Sequence, residues 1–202
     1  MRIDNSWNQR RYGVWAPVYD AMARTLARAR EDALAGIAVG SGESVLIVGA
    51  GTGLDLPLLP AGARVVATDL TPAMLSRARA RAPSRHFAYA DAEQLGFPDA
   101  CFDVVLLHFI VAVVADSAAC LREAARVTRP GGRISLLDKF VPDGRTPSLT
   151  RRALNVLAHV AFSDITVDLS AALRASGSPL EVVSRRPVAF GGRYEAVVLR
   201  RT

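Results

Sequence analysis

The feature that most constrains this chain is a change of period at residue 44. Ser44–Val48 is a short apolar run with β-branched residues, and it leads straight into Gly49-Ala50-Gly51-Thr52-Gly53. Such a run reads as a strand. Glycines at alternate positions permit a tight turn at its carboxyl end, where a ligand can come close to the main chain. The pattern then repeats. Arg64–Thr68 is a second strand, followed by Asp69 and a helical segment, Pro72–Arg81, with Thr71 as N-cap and Pro72 at the first helical position. Phe87–Tyr89 is a third strand before Asp91, and Phe102–Leu107 is a fourth, apolar enough for a central parallel strand. Asp116–Val127 reads as a helix, Arg129-Pro130-Gly131-Gly132 as a turn and Arg133–Asp138 as a fifth strand. Helices are also expected over Leu149–Phe162 and Val167–Ser176. Two final strands, Glu181–Arg186 and Tyr194–Arg200, join around Gly191-Gly192. Alternating strands and helices predict an α/β fold: a Rossmann-like seven-stranded sheet, mostly parallel with an antiparallel C-terminal edge pair, and helices on both faces.

A chain of 202 residues, half of them hydrophobic, is expected to form one domain whose core needs neither disulfides nor metal. Ahead of the first strand, Met22, Leu26, Ala29, Ala33 and Ile37 recur at spacings of three and four, an amphipathic helix ended by Gly40 and Gly42. The two cysteines, Cys101 and Cys120, have no zinc-site spacing and are expected to be reduced, in a cytoplasm-like compartment. No metal site is expected. The sequence has no apolar run of membrane-spanning length, and Met1-Arg2-Ile3-Asp4 leads into no apolar run of the signal-peptide kind, so no signal peptide is expected. The net charge of +6, almost wholly arginine, fits either a solvated surface or an anionic partner.

The glycine loop is GxGxG and not the GxGxxG of dinucleotide enzymes, because position 54 is leucine. A glycine loop can be a bare turn, and a single Asp can be a cap. Asp69 nevertheless follows the loop at about the 20-residue spacing at which a carboxylate takes up a ribose diol. Asp91, at the third strand end, can reach an adenine edge. Three features at three successive strand ends describe an adenosine site with no pyrophosphate grip.

Val45-Leu46-Ile47-Val48-Gly49-Ala50-Gly51-Thr52-Gly53, Asp69, Asp91-Ala92 with Leu95 and Phe97-Pro98, Phe102-Asp103-Val104-Val105 and Arg126-Val127-Thr128-Arg129-Pro130-Gly131-Gly132 together resemble the class I S-adenosylmethionine-dependent methyltransferases. The resemblance implies S-adenosylmethionine as cofactor and S-adenosylhomocysteine as product. It implies cofactor contacts from Tyr19, Gly49, Ala50, Gly51, Thr52, Gly53, Asp69, Leu70, Met74, Asp91, Ala92 and His108. Many relatives carry an acid two positions before the first glycine, where this chain has Ile47. The methionine end is therefore expected to rely on backbone groups and Tyr19.

Because the cofactor is already activated, no catalytic triad is expected, and a base is needed only if the acceptor keeps its proton. Leu107-His108-Phe109-Ile110 replaces the Asn/Asp-Pro-Pro-Tyr segment of nucleic-acid amino-methylating enzymes, so no nucleic-acid partner is expected. Tyr12-Gly13-Val14-Trp15-Ala16-Pro17-Val18-Tyr19-Asp20 resembles the lid segment of the small bacterial phosphatidylethanolamine N-methyltransferases and the ubiquinone/menaquinone-type methyltransferases. Packing of a helix on the sheet is the plainer account of the same residues. The single domain 1–202 is thus expected to carry a helical lid over 1–40 and a helical insertion over 140–165 at the acceptor site. Tyr19 and His108 are the catalytic candidates, and Tyr12, Trp15, His108 and Lys139 the acceptor-binding ones. Asp138 is comparable, and His108 is equally able to bond the backbone. Trp7, Trp15, Arg2, Arg10 and Arg11 suit an anionic membrane surface. A lipid or lipophilic acceptor is expected, with phosphatidylethanolamine first, a quinone or small molecule second, and a non-catalytic ligand sensor third. The expected location is cytoplasmic, with peripheral contact at the inner membrane face.

Overall fold

The computed structural model describes residues 25–141 and 167–202. Seven strands form one sheet in the order β3-β2-β1-β4-β5-β7-β6. They are β1 (Ser44–Val48), β2 (Arg64–Asp69), β3 (His86–Tyr89), β4 (Phe102–His108), β5 (Thr128–Asp138), β6 (Leu180–Ala189) and β7 (Tyr194–Arg201). The first five run parallel, and β7 lies antiparallel between β5 and β6. The described helices are α1 (Ala27–Ile37), α2 (Pro72–Arg81), α3 (Ser117–Val127) and α4 (Leu169–Ser176).

Strand side chains alternate between faces, so each central strand feeds two cores. Val45, Ile47, Val104 and Leu106 pack with Leu34 and Ile37 of α1 and Ala78 of α2. Leu46, Val48, Val105 and Leu107 pack on the other face with Cys120, Leu121 and Ala124 of α3 and Leu169 and Ala172 of α4. Helices therefore cover both faces, and β4 is buried on both, as its apolar run implies.

Local chemistry sets the ends differently in three places. Helix α1 stops at Ala38, which takes the left-handed conformation at φ 51°, before the expected glycines are reached. Thr71 occupies the N-cap of α2, but its side chain makes no capping bond; its hydroxyl turns to Asp69 instead. Residues 129–132, expected as a turn, belong to a long β5 whose register with β4 shifts between Phe102 and Val104. Asp116 caps α3 by accepting from the N–H groups of Ala118 and Ala119, and Asp168 caps α4 through Ala171. The helix expected over Leu149–Phe162, most of the 140–165 insertion and the first 24 residues of the 1–40 lid lie outside the described residues.

Fully buried Leu106 and half-exposed Leu58 test this core. Leu106→Ala should lower unfolding free energy by about 2–5 kcal/mol in urea titration, and Leu58→Ala by less than about 0.5 kcal/mol. Equal losses would contradict the packing.

Candidate active site

The strand order reverses direction between β1 and β4, and the crevice of an open α/β sheet lies at the carboxyl ends of the strands at that point. The glycine loop is there. Gly49, Gly51 and Gly53 have φ of 68°, 57° and 80°, values that side-chain-bearing residues rarely adopt. Crowding adds a second reason for glycine. A Cβ on Gly49 would fall 2.6 Å from Ile110 Cδ1, and one on Gly53 would fall 3.0 Å from Ala78 Cα. Ala50 N–H donates to Thr68 O at 2.7 Å and Gly53 N–H to Ala50 O at 2.9 Å, which closes the turn.

Asp69 ends β2 beside this loop. Its carboxylate accepts from the N–H of Gly51 at 2.8 Å and from that of Thr71 at 2.8 Å, so one acid fixes both the loop and the entry to α2. Burial pushes its pKa above the usual carboxylate range, against the opposing N–H donors of Thr71 and Gly51. Leu70 is half-buried, and Met74 is buried in the first turn of α2. Asp91 follows β3, the neighbour of β2, and accepts from Glu93 N–H at 2.9 Å, with Ala92 buried beside it. The loop residues Gly49, Ala50, Gly51, Thr52 and Gly53 thus share one sheet edge with Asp69, Leu70, Met74, Asp91 and Ala92.

His108 departs from the expected orientation. Its side chain is 1% exposed. Nδ1 is 2.9 Å from Asp55 Oδ1, and Nε2 is 3.0 Å from Ser135 Oγ. A ring with both nitrogens engaged by buried side chains is not presented to an acceptor, so this arrangement opposes the base and pocket-lining expectations and also the backbone bond. Asp55 takes a second partner, Arg30 Nη1, at 2.6 Å. Burial raises the Asp55 pKa, but the charges of His108 and Arg30 outweigh it and hold the carboxyl well below its usual range. The Arg30 guanidinium lies 4.5 Å from the centre of the Phe109 ring.

Neither Asp55 nor Arg30 was anticipated from the sequence. The available signals were a lone acid between Leu54 and Leu56 and an arginine on the apolar stripe of α1. Lys139 is half-buried at the end of β5, and its N–H donates to Asp138 Oδ1 at 2.9 Å. Asp138 also accepts from Ala112 N–H at 3.0 Å. Tyr12, Trp15 and Tyr19 lie outside the described residues. Among the described residues, no group of three or more His, Cys, Asp or Glu is placed to hold a metal ion.

Burial pushes Asp138 up to about 6, against the N–H groups of Lys139 and Ala112. The folded state therefore holds this proton more tightly than the unfolded chain does. Stability should fall as pH rises from about 4 to about 6, by on the order of 3 kcal/mol from this group. Asp138→Asn should remove that part of the slope in denaturant melts at pH 4 and pH 7. An unchanged difference between the two pH values would overturn the assignment.

A family model described as a methyltransferase domain matches residues 46–136. Phosphatidylethanolamine N-methyltransferase of Cereibacter sphaeroides is 32% identical over 194 residues, covering 92% of this chain and 93% of the relative. Demethylmenaquinone methyltransferase of Mycobacterium sp. (strain JLS) is 38% identical over 117 residues, 57% of this chain and 50% of that protein. Among solved structures, geranyl diphosphate methyltransferase in complex with S-adenosylmethionine superimposes with a TM-score of 0.74 at 17% identity, covering 89% of this chain and 87% of that one. The glycine loop, strand order and near-full-length likeness together make this chain a member of the S-adenosylmethionine-dependent methyltransferases.

Proposed function

We propose that this methyltransferase transfers methyl groups to the amine of a phosphatidylethanolamine-type phospholipid at the surface of an anionic membrane. The observation that carries this reading is the likeness to the Cereibacter enzyme along 92% of the chain, well beyond the central methyltransferase segment. A quinone acceptor is the second reading, favoured by the higher identity of the demethylmenaquinone enzyme over a shorter stretch.

The cradle fits the cofactor's adenosine half. Glycines that leave no room for a Cβ and a half-buried carboxylate at the next strand end suit a ribose and a close main-chain approach. Asp69 would hold the ribose hydroxyls, and Asp91 and Ala92 the adenine, with Leu70 and Met74 lining that side. Tyr19 would hold the methionine end. When bound, the cofactor supplies a methyl group on a sulfonium, already activated for transfer. The protein's own work is then positioning and exclusion of water. Tyr12 and Trp15 would cover the cleft, and Trp7, Arg2, Arg10 and Arg11 would meet the headgroup layer. A protonated amine must release its proton before attack, and a dry pocket disfavours the charged form. His108 acts here as a positioning residue, locking β4 to the loop through Asp55.

Two outcomes test the reading. Asp69→Ala should weaken S-adenosylhomocysteine binding by at least tenfold in calorimetry, since charge-assisted bonds contribute roughly 1.5–3 kcal/mol each. Unchanged affinity would remove Asp69 from the ribose. Label from the methyl-tritiated cofactor should appear in phosphatidylethanolamine of mixed vesicles. Label in added demethylated quinone alone would select the second reading, and label in neither would leave a ligand sensor.

A further inference from the structure

The turn between β6 and β7 carries an apolar, basic tip at the same sheet edge as the glycine loop. β7 starts beside the end of β5, with Glu195 opposite Asp138, and β5 runs parallel to β4 and hence to β1. Residues 189–193 thus project from the carboxyl edge, on the side of the sheet reached after β4 and β5. Phe190 at this tip is 59% exposed, one of the most exposed large hydrophobic residues described. It also sits at φ 49°, a left-handed conformation that a bulky residue avoids unless the turn imposes it. Gly191 and Gly192 continue in the same region at φ 64° and 86°, so the turn offers Phe190 outward instead of folding it down. Its ring leans on Tyr194 at 5.7 Å, and Tyr194 meets Phe109 at 5.9 Å, a row of aromatics leading back to the end of β4.

The only charged side chain of the tip, residues 189–193, is Arg193. From Val182 to Tyr194 the chain contains Arg185, Arg186 and Arg193 and no acid. Arg185 pairs with Glu195 at 2.7 Å and Arg186 donates to Asp32 O at 3.1 Å, whereas the exposed Arg193 guanidinium makes no ion pair among the described residues. An exposed aromatic beside an unpaired arginine is the chemistry of the headgroup layer of an anionic bilayer: the ring enters the interface and the guanidinium meets phosphates.

We propose that the β6–β7 tip is a membrane-docking element that inserts Phe190 among lipid headgroups, with Arg193 on phosphate, and turns the carboxyl edge of the sheet toward the bilayer. The proposal rests on the lipid-surface reading above and names the described part of the chain that makes the contact.

Flotation with vesicles of phosphatidylcholine and phosphatidylglycerol, against phosphatidylcholine alone, separates the two. The wild-type chain should float with the anionic vesicles at low salt. Phe190→Asp should reduce recovery roughly tenfold or more, Arg193→Gln roughly fivefold, and Phe190→Trp should retain it. S-adenosylhomocysteine affinity measured on each variant guards against misfolding and should not change. Wild-type binding with undiminished recovery of both Phe190→Asp and Arg193→Gln would overturn the tip while sparing the membrane reading. No wild-type binding to either vesicle would overturn both. If Phe190→Asp instead abolished self-association in sedimentation and left flotation intact, the tip would be a contact between copies of this chain.

Discussion

The Asp55 carboxylate is the point at which separate parts of the fold are tied together. It lies just beyond the glycine loop, takes Arg30 from α1 on one oxygen and His108 from the end of β4 on the other, and through His108 reaches Ser135 on β5. A charge so deeply buried is tolerable only while its partners remain, and removing one typically destabilises by about 3–5 kcal/mol. Four chain segments far apart in sequence are thereby held in one arrangement. The histidine that sequence patterning offered as a base makes this connection.

The glycine loop is fixed from two directions. Behind it, Ile110 and Ala78 occupy the space that a Cβ on Gly49 or Gly53 would need. Beside it, Asp69 holds Gly51 and the start of α2. The loop is therefore shaped before any ligand arrives, which limits the ordering that binding must impose. Both Asp69 and Asp138 are carboxylates raised by burial, so each favours the folded state more at lower pH; Asp55, held low, has the opposite sign and loses its contribution progressively as pH falls below the ordinary carboxylate range.

The strands and their alternation with helices were legible in the sequence because they rest on local signals. Short β-branched runs mark β1, β2 and β4, alternating glycines mark the loop, and acids mark the next strand ends. Features set by long-range contact were not legible. Arg30 looks like a surface arginine until its partner at position 55 is brought to it, and Ala38 ends α1 where glycines were expected. Residues 129–132 carry turn composition, and they form the irregular stretch of β5 between the ladder pairs Phe102–Thr128 and Val104–Arg133. The acceptor was legible only as a resemblance, because methyl transfer makes few demands on side-chain chemistry and leaves selectivity to shape.

The central claim is that the cofactor sits on the carboxyl edge between β1 and β4, with its ribose on Asp69. The most direct test is a crystal structure with S-adenosylhomocysteine. The account predicts both ribose hydroxyls within hydrogen-bond distance of the Asp69 carboxylate, the adenine beside Asp91 and Ala92, and the Asp55–His108 contact intact. A ligand bound away from the glycine loop, or a ribose that does not touch Asp69, would contradict it.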